Sequence, residues 1–187
     1  MLDVRPLGLD GVLELTPRRL HDERGFFVET YNAAALAAKG IDIVFVQDNH
    51  SCSARAGTLR GLHYQLPPRA QAKLVRAVRG SVFDVVVDLR QNSPTFAKWC
   101  GIELSAAKGN QVLVPVGFAH GFVTLEPNTD ILYKVSDFYA PDHDRAIRFD
   151  DPDIGIEWPV DAGGLQLSAK DRDAPFLADA AVFKGIE

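Results

Sequence analysis

The sequence predicts an all-β fold, a barrel or sandwich of short strands, on two observations: apolar and polar residues alternate in many short runs, and nearly every run is bounded by Gly, Pro, Asn or charge. In order, Gly11–Thr16, Phe26–Thr30, Leu74–Val78, Val82–Leu89, Gln111–Val116 and Asp130–Val135 read as strands whose alternate side chains face a core. One stretch reads as helix. Residues 32–39 (NAAALAAK) are rich in Ala, with Asn32 placed to cap and Gly40 to stop the turn. From Asp150 onward the chain is rich in Pro, Gly and Asp, which predicts loops and short turns wrapped over the strands. No repeat or linker divides the 187 residues, so the expectation is one domain over 1–187, with an N-terminal arm and a wrapping C-terminal tail.

Composition excludes several classes. With 47% hydrophobic and 24% charged residues the chain is of ordinary globular make-up, and no stretch approaches the roughly 20 apolar residues of a membrane span. No basic segment followed by an apolar one opens the chain, so a cytoplasmic protein is expected. A net charge of −5 gives no general attraction for nucleic acid, and any phosphate group has to be met by a few focused Arg and Lys. Cys52 and Cys100 lack metal or redox spacing and read as free thiols of a reducing compartment.

Two stretches carry the spacing of the paired cupin motifs. The second is Gly109, five residues, Pro115-x-Gly117, two residues and His120, with Thr124 where Asn is commoner. The first has Gly57, five residues and His63, but then Gln65 where a second His would stand, Lys73 near the expected carboxylate, and Gly80. Their glycines suit turns between strands. The resemblance implies a cupin-type jelly-roll β-barrel with a few short helices. Metal-binding cupins gather neutral imidazoles and a carboxylate around a cation. An amide at 65 and an ammonium at 73 leave too few donors and add a positive charge, so no metal is expected, and metal-dependent oxygenase chemistry is disfavoured.

The charges that remain suit acid–base work. Arg60 and His63 lie three apart on one strand and Lys73 on the next, so the three can converge on an anion or a developing oxyanion. A neighbouring cation favours the neutral imidazole, the form that accepts a proton. Tyr133, in the strand 130–135, is placed to donate a proton from across a cavity. Asp171 can fix the tautomer of His63, as orienting carboxylates do. Asp84 competes for that role, because strand alternation puts it opposite Phe83 and Val85.

Read in order, several segments resemble the dTDP-4-dehydrorhamnose 3,5-epimerase family: 22–29 (DERGFFVE), 47–51 (QDNHS), 59–65 (LRGLHYQ), 73–76 (KLVR), 87–90 (VDLR), 115–122 (PVGFAHGF), Tyr133-Lys134 and 167–171 (LSAKD). The resemblance implies an epimerase of a nucleotide-linked 4-keto-6-deoxyhexose that inverts C3 and C5 through an enolate, without NAD or metal. By it, His63 is the base, Asp171 orients it, Tyr133 returns a proton to the opposite face, and Lys73 meets the enolate oxygen. Arg24, Gln47, Asp48, Asn49 and Arg60 resemble positions that hold diphosphate and sugar. Phe27 and Glu29 resemble base-recognition residues, and His120, Tyr139, Asp144 and Lys170 further ligand contacts. The family's N-terminal arm reaches a neighbouring subunit, which implies a homodimer. Two positions depart from the pattern: Asp144 stands for a longer Glu, and Phe149 for Trp. The sequence leaves open a single-carbon epimerase, a keto-sugar isomerase on the same barrel, and a sugar-nucleotide-binding cupin without catalysis.

Overall fold

The structure, a computed structural model, describes residues 2–185. Strands β1 (Leu2–Pro6), β2 (Leu13–Pro17), β3 (Leu20–Asp22) and β4 (Gly25–Phe27) lead into helix α1 (Ala33–Ala37). Nine further strands follow: β5 (Gln47–Ser53), β6 (Leu59–Gln65), β7 (Lys73–Arg79), β8 (Ser81–Asp88), β9 (Trp99–Ser105), β10 (Gln111–Val114), β11 (Phe118–Thr124), β12 (Thr129–Val135) and β13 (Asp144–Ala146). Among the described residues the tail holds only short turns and α2 (Ala169–Arg172). All named strands pair antiparallel, in a six-stranded sheet β1-β2-β10-β7-β12-β5, a five-stranded sheet β13-β6-β11-β8-β9 and the hairpin β3-β4. This two-sheet roll is the cupin-type jelly-roll barrel that the motifs imply.

Alternation along the strands decides what fills the interior. Val75 and Ala77 of β7, Val82 and Val86 of β8, Phe118 and Phe122 of β11 and Ile131 of β12 form one buried apolar cluster between the sheets. Their neighbours point outward and are covered separately. Leu36 of α1 and Ile41 pack on Leu15, Leu74 and Leu113 of the six-stranded sheet. On the other sheet, Ile154 and Phe183 of the tail lie over Leu62, Val85, Val87 and Ala119. The tail also pairs with the body by two parallel bridges, Thr58 with Gln166 and Arg90 with Phe183.

Local chemistry accounts for the connections. Asn32 caps α1, its Oδ1 accepting from the Ala35 N–H at 3.1 Å. Gly80 turns β7 into β8 at φ +69°, and a Cβ there would stand 2.3 Å from Thr129 Oγ1. The predicted run Phe26–Thr30 is strand only as far as Phe27, because its partner β3 is three residues long; beyond it, Gln111 Nε2 binds the Thr30 carbonyl at 2.8 Å in place of a ladder.

Candidate active site

Next to the apolar filling lies a cavity of about 510 Å³ lined mostly by polar side chains from both sheets. From the five-stranded sheet come Arg60, His63 and Gln65 of β6, His120 of β11 and Asp144 of β13; from the six-stranded sheet come Gln47 and Asn49 of β5, Lys73 of β7 and Tyr133 of β12. Tyr139 lines it too, and the tail adds Ser168, Lys170 and Asp171. On a regular strand, residues 60 and 63 face opposite ways. Here a bulge lies between them: His120 pairs with His63 and Phe122 with Arg60, so two steps on β11 match three on β6. The extra residue turns both side chains inward. Gly61 and Gly121 let the strands meet at this point, since a Cβ on Gly61 would lie 2.5 Å from the Gly121 Cα.

His63 Nε2 lies 2.5 Å from Asp171 Oδ1, and Asp171 is 3% exposed. Its other oxygen accepts from Ser168 Oγ at 2.7 Å, and the Asp171 N–H in turn binds that hydroxyl at 3.1 Å. Burial alone would raise the Asp171 carboxyl. The hydrogen bond and charge of His63, the Ser168 hydroxyl and the Gly61 N–H outweigh it and hold the group below the usual carboxylate range. Asp84 is not the partner of His63: its Oδ2 lies 2.8 Å from His120 Nε2.

Lys73 is buried and donates to the His63 carbonyl at 3.0 Å. Burial pushes its ammonium down to about 8, with the charges of Asp84 and Asp144 pulling upward and Lys170 pushing down. Tyr133 is half-buried, and burial raises its phenol above the ordinary value, Arg60 opposing and Asp144 adding. The phenol therefore keeps its proton at neutral pH. His63 and Tyr133 thus face one space from opposite sheets, with Lys73 on its wall.

Gln65, at the altered motif position, holds loops together. Its amide donates to the Arg69 and Phe138 carbonyls at 2.6 and 3.2 Å, and its oxygen accepts from the Ala140 N–H at 2.8 Å. Among the described residues no three His, Cys, Asp or Glu side chains gather as a metal site. Gln47 Nε2 binds Asn49 Oδ1 at 2.9 Å and its Oε1 accepts from the Tyr139 N–H at 3.0 Å. Asp144 bonds Lys170 and lies 3.3 Å from the Tyr139 hydroxyl, so the shorter carboxylate still has partners within the chain. Phe149 packs with Leu59 and Val123, outside the cavity.

Four expected contacts lie elsewhere. Asp48 sits between Gln47 and Asn49 on β5, so the pleat turns it to the other face, where it pairs with Lys134 at 2.9 Å. Arg24 is exposed on the β3-β4 hairpin and pairs with Asp22. Phe27 and Glu29 line a separate groove of about 240 Å³ with Leu2, Leu15 and Tyr31. Within one chain these three do not reach the cavity. Ser51, Gln71 and Ser168 line it without having been expected. Ser51 lies in the family-like segment 47–51, Gln71 carried no signal, and Ser168 carried the Ser-x-x-Asp spacing of a helix N-terminus: its hydroxyl caps α2.

A jelly roll with an imidazole–carboxylate pair, a protonated phenol and a buried ammonium in one cavity defines a protein built for proton transfer on a small polar ligand. The sequence model of the dTDP-4-dehydrorhamnose 3,5-epimerase family matches residues 6–179, and the chain belongs to that family. It is 52% identical over 178 residues to dTDP-4-dehydrorhamnose 3,5-epimerase of Pseudomonas aeruginosa, covering 95% of this chain and 97% of that one. Among solved structures it resembles dTDP-4-dehydrorhamnose 3,5-epimerase of Bacillus anthracis with TDP and PPi bound (TM-score 0.92, 47% identity, 95% and 100% of the two chains). It also resembles dTDP-6-deoxy-D-glucose-3,5-epimerase of Legionella pneumophila in complex with dTDP-4-keto-L-rhamnose (TM-score 0.92, 41% identity, 97% and 95%).

Proposed function

We propose that the chain converts dTDP-4-dehydro-6-deoxy-D-glucose to dTDP-4-dehydro-L-rhamnose by inverting C3 and C5. The observation that carries the reading is the facing arrangement of His63, backed by Asp171, and Tyr133, from opposite walls of one cavity, with Lys73 on the strand beside Tyr133 reaching the His63 carbonyl. The C4 ketone acidifies the protons on C3 and C5, so a neutral imidazole suffices as base once the enolate oxygen is stabilised. His63 takes the proton, the Lys73 ammonium meets the enolate oxygen, and the Tyr133 phenol gives a proton to the opposite face. Solvent then takes the proton from the imidazolium and restores the phenol. Protons alone move, so the reaction balances without a redox partner. A positioned acid or base contributes roughly 10²–10⁴-fold, and a preorganised donor to an oxyanion about 10²–10³-fold.

Arg60, Lys170, Gln47 and Asn49 supply the charge and hydrogen bonds for the diphosphate and sugar, on a chain whose net charge of −5 gives phosphate no bulk attraction. His120, Tyr139 and Asp144 complete the wall. Arg24, Phe27 and Glu29 lie away from their own chain's cavity, and Leu20, Phe26 and Phe27 expose large apolar side chains on the same hairpin. This supports a homodimer in which the β3-β4 arm of each copy completes the other's nucleotide site. Two free thiols, Cys52 and Cys100, fit a reducing cytoplasm.

The test is exchange in D₂O with dTDP-4-dehydro-6-deoxy-D-glucose, read by NMR. Deuterium at both C3 and C5 is expected. One labelled carbon would mean a single-carbon epimerase, and binding without any label would mean no catalysis.

A further inference from the structure

One buried ionisable group in the barrel has no part in the proton transfers. Asp84, in the middle of β8, is fully buried. Its Oδ2 bonds His120 Nε2 at 2.8 Å, while its Oδ1 has no hydrogen-bond partner among the described residues. A buried carboxylate with half its acceptors unused needs positive charge nearby. β11 presents His120 to it at hydrogen-bond distance, and the charge of Asp84 is felt by two further groups, Lys73 of β7 and Cys100 of β9. The thiol is no ligand for it, since burial and then the charge of Asp84 push Cys100 up to about 12. His120 and Lys73 remain, and both line the cavity.

His120 is also the cross-strand neighbour of His63. Two imidazoles therefore stand side by side on the cavity wall, each backed by its own buried carboxylate: His63 by Asp171 of the tail, His120 by Asp84 of the barrel. Since neither carboxylate contacts the other's imidazole, the two pairs have separate work to do. We propose that Asp84 is a positioning residue that acts through two others, fixing the ring orientation and tautomer of His120 and serving as the buried counter-charge of the Lys73 ammonium. The inference rests on the proposed epimerase reading and extends it: the base has one carboxylate and the oxyanion side of the site has another.

The sign of its effect follows from what faces Lys73. Asp84 and Asp144 favour the ammonium, Lys170 and burial disfavour it, and the His63 carbonyl accepts one of its protons. Removing the charge at 84 therefore moves Lys73 toward the neutral amine at any given pH. An enolate that needs the ammonium loses it at lower pH than before.

The experiment compares the wild type with Asp84→Asn, which is nearly isosteric. Expected are a fall in kcat of roughly tenfold or more with KM changed less than about threefold, and an alkaline limb of the kcat/KM profile displaced to lower pH. Asp84→Asn with the wild-type kcat and an unmoved limb would overturn the proposal. Should that variant fold poorly, ¹⁵N NMR of histidine-labelled wild type decides, with the His120 signals assigned by their loss in His120→Gln. A proton held on Nε2 is expected, and a proton on Nδ1 alone would overturn it. Wild-type deuterium exchange, run beside these, tests the epimerase reading by itself: its failure leaves the NMR result for Asp84 standing.

Discussion

Asp171 binds the His63 imidazole at 2.5 Å across 108 residues of sequence, and Ser168 holds Asp171 from behind at 2.7 Å. The carboxylate is thereby fixed in rotamer before any ligand arrives. Asp171→Asn keeps the shape and reverses the preferred tautomer of the base, so kcat should fall on the order of 10²–10⁴-fold, in steady-state assays with KM little changed. Ser168→Ala should cost less, and Ser168→Thr should restore much of the loss.

Tyr133 and His63 divide the work by face, which separates exchange from inversion. In Tyr133→Phe the base still removes a proton and can return it to the face it came from. Solvent deuterium should enter the substrate while the inverted product falls by roughly 10²-fold or more, with both followed by NMR in one sample. Loss of exchange together with inversion would show that the phenol is needed for abstraction itself.

Lys73 sets an alkaline limit. Burial lowers its ammonium to about 8, below the 10.5 of a free lysine. The charged form that meets the enolate is present below that value and is lost as pH rises through it. The kcat/KM profile should therefore decline above about pH 8. Lys73→Met should lower kcat about 10²–10³-fold and abolish that decline.

The proposed dimer is testable by mixing. Arg24→Ala damages the arm and His63→Ala the cavity, so each homodimer has two defective sites. If the arm serves the neighbouring copy, a mixed dimer holds one intact site. Unfolding and refolding the two variants together should restore activity that neither shows alone. Activity absent from a mixture shown by mass to contain mixed dimers would place the arm elsewhere.

Asp88 tests stability apart from chemistry. It is fully buried, takes two hydrogen bonds from the Arg90 guanidinium at 3.0 and 2.9 Å and two from the Ser93 and Thr95 hydroxyls at 2.6 and 2.7 Å. Burial would raise its carboxyl, but these bonds hold it below the usual range. Its contribution is present at neutral pH and is lost as pH falls through that lowered value. Asp88→Ala leaves the buried Arg90 without its partner and should cost about 3–5 kcal/mol in urea unfolding.

β2, β7, β8, β10 and β12 were legible as short runs closed by turn residues; burial alternates along β12, while β8 is buried on nearly every residue because the tail covers its outer face. The same rule failed to exclude Asp48, since a contiguous motif names neighbours that the pleat must separate. It was silent on the bulge in β6: nothing in the order of residues 59–65 says that one of them lacks a partner, yet that residue brings Arg60 and His63 to one side. Asp171 and Asp84 were both legible as carboxylates able to orient an imidazole. Which imidazole each serves depends on where the tail docks, a long-range choice without local signal. Ser168 was readable from its spacing to Asp171 but not as a group of the cavity.

The docking of that tail has a consequence for how the molecule is made. The barrel's two sheets are complete by residue 146, but Asp171 is synthesised later and reaches His63 only after the last stretch has laid itself over the five-stranded sheet. Until that stretch docks, the imidazole lacks its carboxylate and the outer face of the five-stranded sheet lacks its cover. Readiness for proton transfer thus depends on that docking, and a protease that cuts between the barrel and Asp171 would free the imidazole from its carboxylate and uncover apolar side chains of the five-stranded sheet.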